Sequence, residues 1–188
     1  MTKIKTITTL KNLQEKLQNY RKSFQTAIVI CGGTGCQASR SRDLVETLKN
    51  ELAKHGLEKK VLVRVTGCHG FCEQGPIVVI EPENTFYCHV LPDDAGDIVA
   101  KTVVKGELIE RLLYTDPVSG LTIQTESEIP FYLAQDRQLL AQNRQVDPCS
   151  IEDYIAIGGY SALAKILTGI DPKKIIEKIK SSGLRGRG

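Results

Sequence analysis

Two stretches of the sequence, Thr26–Cys36 (TAIVICGGTGC) and Val61–Cys72 (VLVRVTGCHGFC), share one layout. Each begins with a run of β-branched and aliphatic residues and passes at once into a glycine-rich segment that holds two cysteines. Runs of this composition and length are typical of short buried strands. We therefore predict two strands, each followed by a loop that carries a pair of thiols. The pairs are Cys31 with Cys36 and Cys68 with Cys72.

Four thiolates offered by two loops predict a metal or iron–sulfur site. Structural zinc also binds cysteines that are two to four residues apart, so the spacing permits a four-cysteine zinc site. A redox dithiol and a chance pairing are the remaining alternatives. A disulfide is disfavoured, because the N-terminus lacks the apolar core of a secretory signal and we expect an intracellular protein.

Three details favour a 2Fe-2S cluster over zinc. Four residues separate Cys31 from Cys36, which is the spacing that opens the plant-type ferredoxin motif. Glycines near the thiols leave backbone N–H groups free to approach inorganic sulfide, where hydrogen bonds tune the reduction potential. The second pair follows a long apolar strand, whereas zinc knuckles hold their ligands on tight turns. The glycines are Gly32, Gly33, Gly35, Gly67 and Gly70.

The periodicity of the first 105 residues predicts an α/β fold, in which helices pack on a mixed sheet. We predict helices over residues 9–22, 41–55 and 93–105. We predict strands over residues 26–30 and 60–66, and a hairpin formed by residues 76–81 and 85–90. After the leading helix the predicted order is β-α-β-β-β-α.

The second half of the chain shows weaker patterns. Periodicity fades over residues 106–148, so we expect a connecting arm that is solvated, with a short surface helix in its glutamine-rich part, 135–145. Ser150 with Asp153 forms a capping box that starts one helix. Asp171 with Pro172 starts another, which runs to about residue 182. The predicted units are 1–25, an N-terminal helix; 26–105, the cysteine domain; 106–149, the arm; and 150–188, a helical segment.

The two cysteine pairs, each after a strand, resemble those of the thioredoxin-like 2Fe-2S ferredoxins. Four later motifs resemble the flavoprotein subunit of NAD(P)-reducing iron hydrogenases, which is similar to the NADH-binding flavoprotein subunit of respiratory complex I. These motifs are GELIERLLYTDP at 106–117, IPFY at 129–132, IEDYIAIGGY at 151–160 and SGLRGRG at 182–188. The resemblance extends over nearly the whole chain from about Thr26.

This resemblance implies an electron-transfer module in a multisubunit NAD(P)H-linked oxidoreductase of the hydrogenase or NADH dehydrogenase type. Its 2Fe-2S cluster would bind Cys31, Cys36, Cys68 and Cys72. Gly186, Arg187 and Gly188 would open the loop that binds the FMN phosphate. FMN and NAD(P)H would bind only in the full-length subunit, so we expect the present chain to be catalytically incomplete. The alternative is a zinc-stabilised assembly module without a redox role.

The composition argues against nucleic acid and membranes as binding partners. The 188 residues are 41% hydrophobic and 25% charged, which is ordinary for a globular protein, and the net charge is +3. That charge is too small to predict nucleic-acid binding, and no apolar stretch is long enough to insert into a membrane. We therefore expect a cytoplasmic protein. The resemblance implies that its partners are the other subunits of a hydrogenase or NADH dehydrogenase complex. A homodimer is also compatible with the sequence.

Several residues near the cysteine motifs have a simpler explanation than a role in the site. His69 resembles a Rieske-type ligand, but such a centre needs two histidines on one iron, so we expect His69 to lie beside the ligands. Cys88 fits a small buried thiol, and Cys149 fits a bystander at a helix start. Arg40 and Arg42 could guide an acidic redox partner, although a solvated helix start explains them as well.

Overall fold

A four-stranded mixed sheet forms the centre of the computed structural model, which describes residues 4–186. Its strands are β1 (Thr26–Cys31), β2 (Val61–Thr66), β3 (Val78–Glu81) and β4 (Thr85–Tyr87). They lie in the order β2-β1-β3-β4. Strand β2 is parallel to β1, β3 is antiparallel to β1, and β4 is antiparallel to β3. The predicted strands and hairpin are confirmed, and the hairpin strands are shorter than predicted.

The parallel pairing of β1 with β2 sets the register on which the cysteine motifs depend. Thr26 is paired with Val61, and Cys31, the last residue of β1, is paired with Thr66, the last residue of β2. The backbone N–H of Gly32 extends the ladder by donating to the carbonyl of Thr66 at 2.8 Å. Both strands therefore end side by side at the same edge of the sheet.

Helices precede and flank this sheet. They are α1 (Ile7–Lys22), α2 (Thr34–Ala38), α3 (Ser41–Lys54) and α4 (Ala95–Asp97), and α4 continues into the π-helical turns Ile98–Val103. The hydroxyl of Thr6 caps α1 by accepting from the Thr9 backbone N–H. Gly56, with φ +65°, follows the end of α3, as its position in the sequence predicts. The three predicted helices are confirmed, and α2 is an addition.

The two faces of the sheet bury different sets of side chains. One face packs against α3 and α4 through aliphatic residues, which include Ile28, Ile30, Leu44, Leu48 and Ile98. The other face carries Ala27, Val29 and Cys31 on β1, and it packs against aromatic side chains and Cys36. The cysteine site is therefore continuous with one of the two hydrophobic cores.

The arm over residues 106–148 covers the edge strand β4 and is not a solvated linker. It contains β5 (Tyr114–Thr115), β6 (Thr122–Ile123) and α5 (Pro130–Leu133). The N–H of Phe86 donates to the carbonyl of Gln124 at 2.8 Å, and that of Cys88 donates to the carbonyl of Leu112 at 2.8 Å. Ile129 is completely buried. The arm thus satisfies the backbone groups that an exposed edge would leave unpaired.

The prediction of a surface helix over residues 135–145 is wrong. Only one helical turn, Asn143–Gln145, forms there. The segment instead extends so that the guanidinium of Arg137 reaches the carbonyl of His69, and the carbonyls of Asn143 and Val146 accept from the N–H of Gly67. These tertiary contacts override the helical propensity of a segment that is rich in Gln and contains Leu and Ala.

The C-terminal helices α6 (Ile151–Ala156), α7 (Ser161–Leu167) and α8 (Pro172–Ser181) follow the arm. Both predicted helix starts are confirmed: the Ser150 hydroxyl accepts from the Asp153 N–H, and the Asp171 carboxylate accepts from the Lys173 N–H. The predicted capping box is only half formed, because the Asp153 carboxylate accepts from the Asp147 N–H and not from that of Ser150. Helix α6 packs against α1, where Arg21 pairs with Asp153 at 2.7 Å. Among residues 4–186, no helix has both the length and the apolar character needed to cross a membrane.

The packing of the arm leads to a stability prediction. Ile129→Ala should lower the free energy of unfolding by about 2–5 kcal/mol, because it leaves a cavity in a closed core. Val118→Ala, on an arm residue that is 93% exposed, should change it by less than about 0.5 kcal/mol. Denaturant titrations of both variants test this. Equal, negligible losses would show that the arm does not pack on the domain.

Candidate metal centre

The four cysteines of the two motifs occupy four different positions of the backbone. Cys31 is the last residue of β1, and Cys68 follows β2 by two residues. Cys72 begins the single helical turn Cys72–Gln74. Cys36 lies in α2, which corrects the prediction that both thiols of the first pair sit in a loop. The short helix turns the chain back so that Cys36 faces the same core as Cys31.

Glycines let the two cysteine motifs approach each other closely. A Cβ atom on Gly33 would lie 3.1 Å from the Cβ and 3.2 Å from the sulfur of Cys68. A Cβ atom on Gly75 would lie only 2.7 Å from the sulfur of Cys36, closer than real Cβ contacts come. Larger residues at these positions would therefore push one motif away from the other.

The four thiols, Cys31, Cys36, Cys68 and Cys72, lie near one another. Cys31 contacts both Cys36 and Cys68, and the sulfurs of Cys68 and Cys72 are 4.0 Å apart. A hydrogen bond from the Cys36 thiol lowers the pKa of Cys31 to about 6, and the same contact raises the pKa of Cys36. Burial raises the pKa of Cys68. The contact thus favours ionisation of Cys31 over that of Cys36.

Backbone N–H groups are directed at the sulfurs from both motifs. The N–H groups of His69 and Gly33 help to lower the pKa of Cys31, and that of Ile77 acts in the same direction on Cys36. The N–H of Gly70 donates to the Cys68 sulfur at 3.3 Å. Such donors stabilise negative charge on sulfur, which a thiolate-ligated centre requires.

The two pairs differ in their exposure to solvent. Cys31 and Cys36 are each 1% exposed, whereas Cys68 is half-buried and Cys72 is exposed. Phe71 is buried, and its ring stacks on that of Phe131 with centroids 4.0 Å apart. Phe71 thus covers one side of the site. The open side is the one that carries Cys72.

The secondary candidates of the sequence occupy positions beside or away from the thiols. His69 is 1% exposed, its Nε2 lies 2.9 Å from the Thr66 hydroxyl, and burial lowers its pKa to about 4. Cys88 is the small buried thiol that was expected, and its Sγ lies 3.5 Å from the carbonyl of Leu112. Cys149 is exposed. Arg40 is also exposed and pairs with Asp43 at the start of α3.

The sequence did not reveal the residues that cover the second motif. Arg137 donates to the carbonyl of His69 at 2.6 Å although 68 positions separate them in the chain. Arg144 pairs with the buried Glu126 in the same region. No local signal marks either residue, because their contacts arise from the path of the arm. Of the predicted FMN loop, Gly186 is exposed, while Arg187 and Gly188 lie outside the described residues.

The residues present fit a thiolate-bound cluster in their chemistry. Four soft sulfur donors come from two adjacent motifs, N–H groups are directed at three of them, and glycines open the space between the motifs. Within residues 4–186, no group of three or more His, Cys, Asp or Glu side chains is arranged to hold a single metal ion. The ligand set therefore rests on the pairwise contacts of the thiols and stays a prediction.

Comparison with known families decides the class of the chain. Residues 7–103 match the thioredoxin-like 2Fe-2S ferredoxin family. The chain belongs to this family. A 2Fe-2S ferredoxin of Clostridium pasteurianum is 43% identical over 77 residues, which cover 41% of this chain and 76% of that ferredoxin. The thioredoxin-like ferredoxin fold is thereby confirmed, and the chain contains a 2Fe-2S electron-transfer domain.

Two further proteins are similar to parts of this chain. The NADP-reducing hydrogenase subunit HndC of Solidesulfovibrio fructosivorans is 56% identical over 43 residues, which cover 23% of this chain but 9% of that subunit. The crystal structure of a thioredoxin-like 2Fe-2S ferredoxin from Aquifex aeolicus is 26% identical and gives a TM-score of 0.45. It covers 50% of this chain and 99% of that ferredoxin.

Serine substitutions separate ligands from bystanders. Replacing any one of Cys31, Cys36, Cys68 and Cys72 should abolish or strongly perturb the visible absorption of the cluster, since each would supply one of four thiolates. Cys88→Ser and Cys149→Ser should leave the spectrum intact. The visible spectra of all six variants should be recorded on protein that is purified without oxygen. A Cys88→Ser variant that loses the cluster, beside a Cys68→Ser variant that keeps it, would refute the ligand set.

Proposed function

We propose that this chain is the iron–sulfur module of a multisubunit NAD(P)H-linked oxidoreductase, of the hydrogenase or NADH dehydrogenase type. Its cluster is held by Cys31, Cys36, Cys68 and Cys72. The observation that carries the proposal is the meeting of the two thiol pairs at one edge of the sheet, beyond the paired ends of β1 and β2. Parallel strands in register leave both motifs on the same side of the domain.

The protein's own residues define how such a cluster would work. A 2Fe-2S cluster accepts or donates one electron at a time. Phe71 and the buried Cys31–Cys36 pair exclude water from one side, and N–H donors stabilise charge on the sulfurs. The exposed Cys72 marks the side on which a partner would come nearest to the cluster.

Two observations support the hydrogenase context. HndC, which is an NADP-reducing hydrogenase subunit, shares 56% identity with part of this chain. The motifs over 106–117, 129–132, 151–160 and 182–188 resemble the flavoprotein subunits of such enzymes. In this proposal electrons pass between NAD(P)H, FMN bound in the longer subunit, and iron–sulfur centres of a partner subunit. The division of the chain into the units 1–25, 26–105, 106–149 and 150–188 belongs to the same proposal.

The metal content of the protein distinguishes the cluster from a zinc site. Anaerobically purified protein should be brown and should contain iron and acid-labile sulfide in equal amounts, two of each per chain, because a 2Fe-2S cluster bridges its irons with sulfide. Elemental analysis and sulfide assay give these values. Stoichiometric zinc without sulfide would replace the proposal with a zinc-stabilised assembly module.

The chain of 188 residues should not oxidise NADH by itself. Hydride transfer delivers two electrons to a flavin, whereas a cluster offers no site for hydride. Dithionite should still bleach the cluster, which provides the positive control. A longer chain that includes the whole FMN-phosphate loop and an NADH-binding domain should bind FMN, and NADH should then bleach its cluster. Tight, stoichiometric FMN binding by the 188 residues alone would show that the flavin site is misplaced.

A further inference from the structure

One peptide unit, between His69 and Gly70, connects the arm to a thiol. Its N–H, on Gly70, donates to the Cys68 sulfur at 3.3 Å. Its carbonyl, on His69, accepts from Nη2 of Arg137 at 2.6 Å. The two groups share one conjugated amide, so a cation at the oxygen makes the N–H a stronger donor. The guanidinium of Arg137 is thus coupled to the Cys68 sulfur through a single peptide.

Arg137 is itself held in place by neighbours on the arm. Its Nε donates to the side-chain carbonyl of Gln135 at 2.9 Å, and its Cζ lies 4.7 Å from the centroid of the Tyr132 ring. The contact distance is in the range of cation–π attraction. Gly70 has φ +85°, and a Cβ there would lie 2.8 Å from Nη2 of Arg137. The glycine therefore leaves the space that the guanidinium fills.

The opposite side of the peptide is anchored in the core. The His69 ring is buried, and its Nε2 lies 2.9 Å from the Thr66 hydroxyl. That hydroxyl donates to the carbonyl of Ile30 at 3.3 Å. With the side chain fixed on one side and the carbonyl bound on the other, the peptide cannot easily rotate its N–H away from Cys68.

We propose that Arg137 is a positioning residue that acts through the His69–Gly70 peptide and raises the reduction potential of the cluster. This inference rests on the proposed function. Reduction adds negative charge to the cluster and its sulfurs, and hydrogen bonds to those sulfurs favour the reduced form. A nearby positive charge acts in the same direction, and partial burial keeps solvent from screening it.

The midpoint potential of the cluster tests the proposal in the full chain. Arg137→Gln should lower the equilibrium constant for one-electron reduction roughly tenfold, a shift of about 59 mV to more negative potential. Arg137→Lys keeps the charge but loses the planar fork, so its potential should lie between those of Arg137→Gln and the wild type. The matched control is Arg42→Gln, which removes the same charge from an exposed side chain of α3 without altering any hydrogen bond or ion pair of residues 4–186. Its potential should equal that of the wild type.

A second measurement needs no cluster. In the cluster-free protein, the Gly70 amide should exchange its hydrogen faster in Arg137→Gln than in the wild type or in Arg42→Gln, because the peptide is no longer held at its oxygen. If Arg137→Gln does not load a cluster, the potential of Arg137→Lys and this exchange rate decide the question.

The outcomes separate this inference from the proposed function. A wild-type protein that assembles no 2Fe-2S cluster refutes the ligand set, whatever the exchange rates show. A loaded wild type whose potential equals that of Arg137→Gln, or a shift of the same size in Arg42→Gln, overturns the role of Arg137 and leaves the cluster in place. Unchanged Gly70 exchange in Arg137→Gln would likewise overturn it.

Discussion

The parallel pairing of β1 with β2 is the constraint on which the candidate site depends. Because Cys31 is paired with Thr66, β1 and β2 end at the same edge of the sheet. The cysteine motif that follows each strand therefore lies next to the other. A shift of one residue in this register would turn Cys31 to the opposite face of the sheet. The buried aliphatic side chains of β1, packed on both faces, oppose such a shift because it would exchange the two cores.

The arm adds contacts on the outside of the site. It covers β4, buries Ile129 beneath the sheet, and returns past the second cysteine motif, where Arg137 and Arg144 bring positive charge. One side of the site is buried and is formed by Cys31, Cys36 and Phe71. The other side, at Cys72, is exposed to solvent. Burial and hydrogen bonding set the potential of an iron–sulfur centre, whereas an open side gives electrons a short path to a partner.

The sequence predicted the parts of this structure whose signals are local. The strands before each cysteine pair follow from β-branched runs. Helix α3 follows from its apolar periodicity and from Gly56, and α8 follows from the cap at Asp171 with Pro172. The packing of the arm could not be predicted, because its buried residues show no period and its hydrogen bonds join positions far apart in the chain. The helix predicted over residues 135–145 does not form, and the contacts of Arg137 could not be predicted, because the hydrogen bonds of this segment also join positions far apart in the chain. The helix α2 was missed because glycine and threonine dominate its first turn.

In the proposed function, both thiol pairs hold one two-iron cluster. Anomalous diffraction at the iron edge, from crystals of anaerobically prepared protein, locates each iron relative to the sulfurs. We expect two adjacent iron positions between the Cys31–Cys36 and Cys68–Cys72 pairs, with the Cys68 sulfur still accepting from the Gly70 N–H. Iron held by one pair alone, or coordinated by His69 or Cys88, would contradict the proposal.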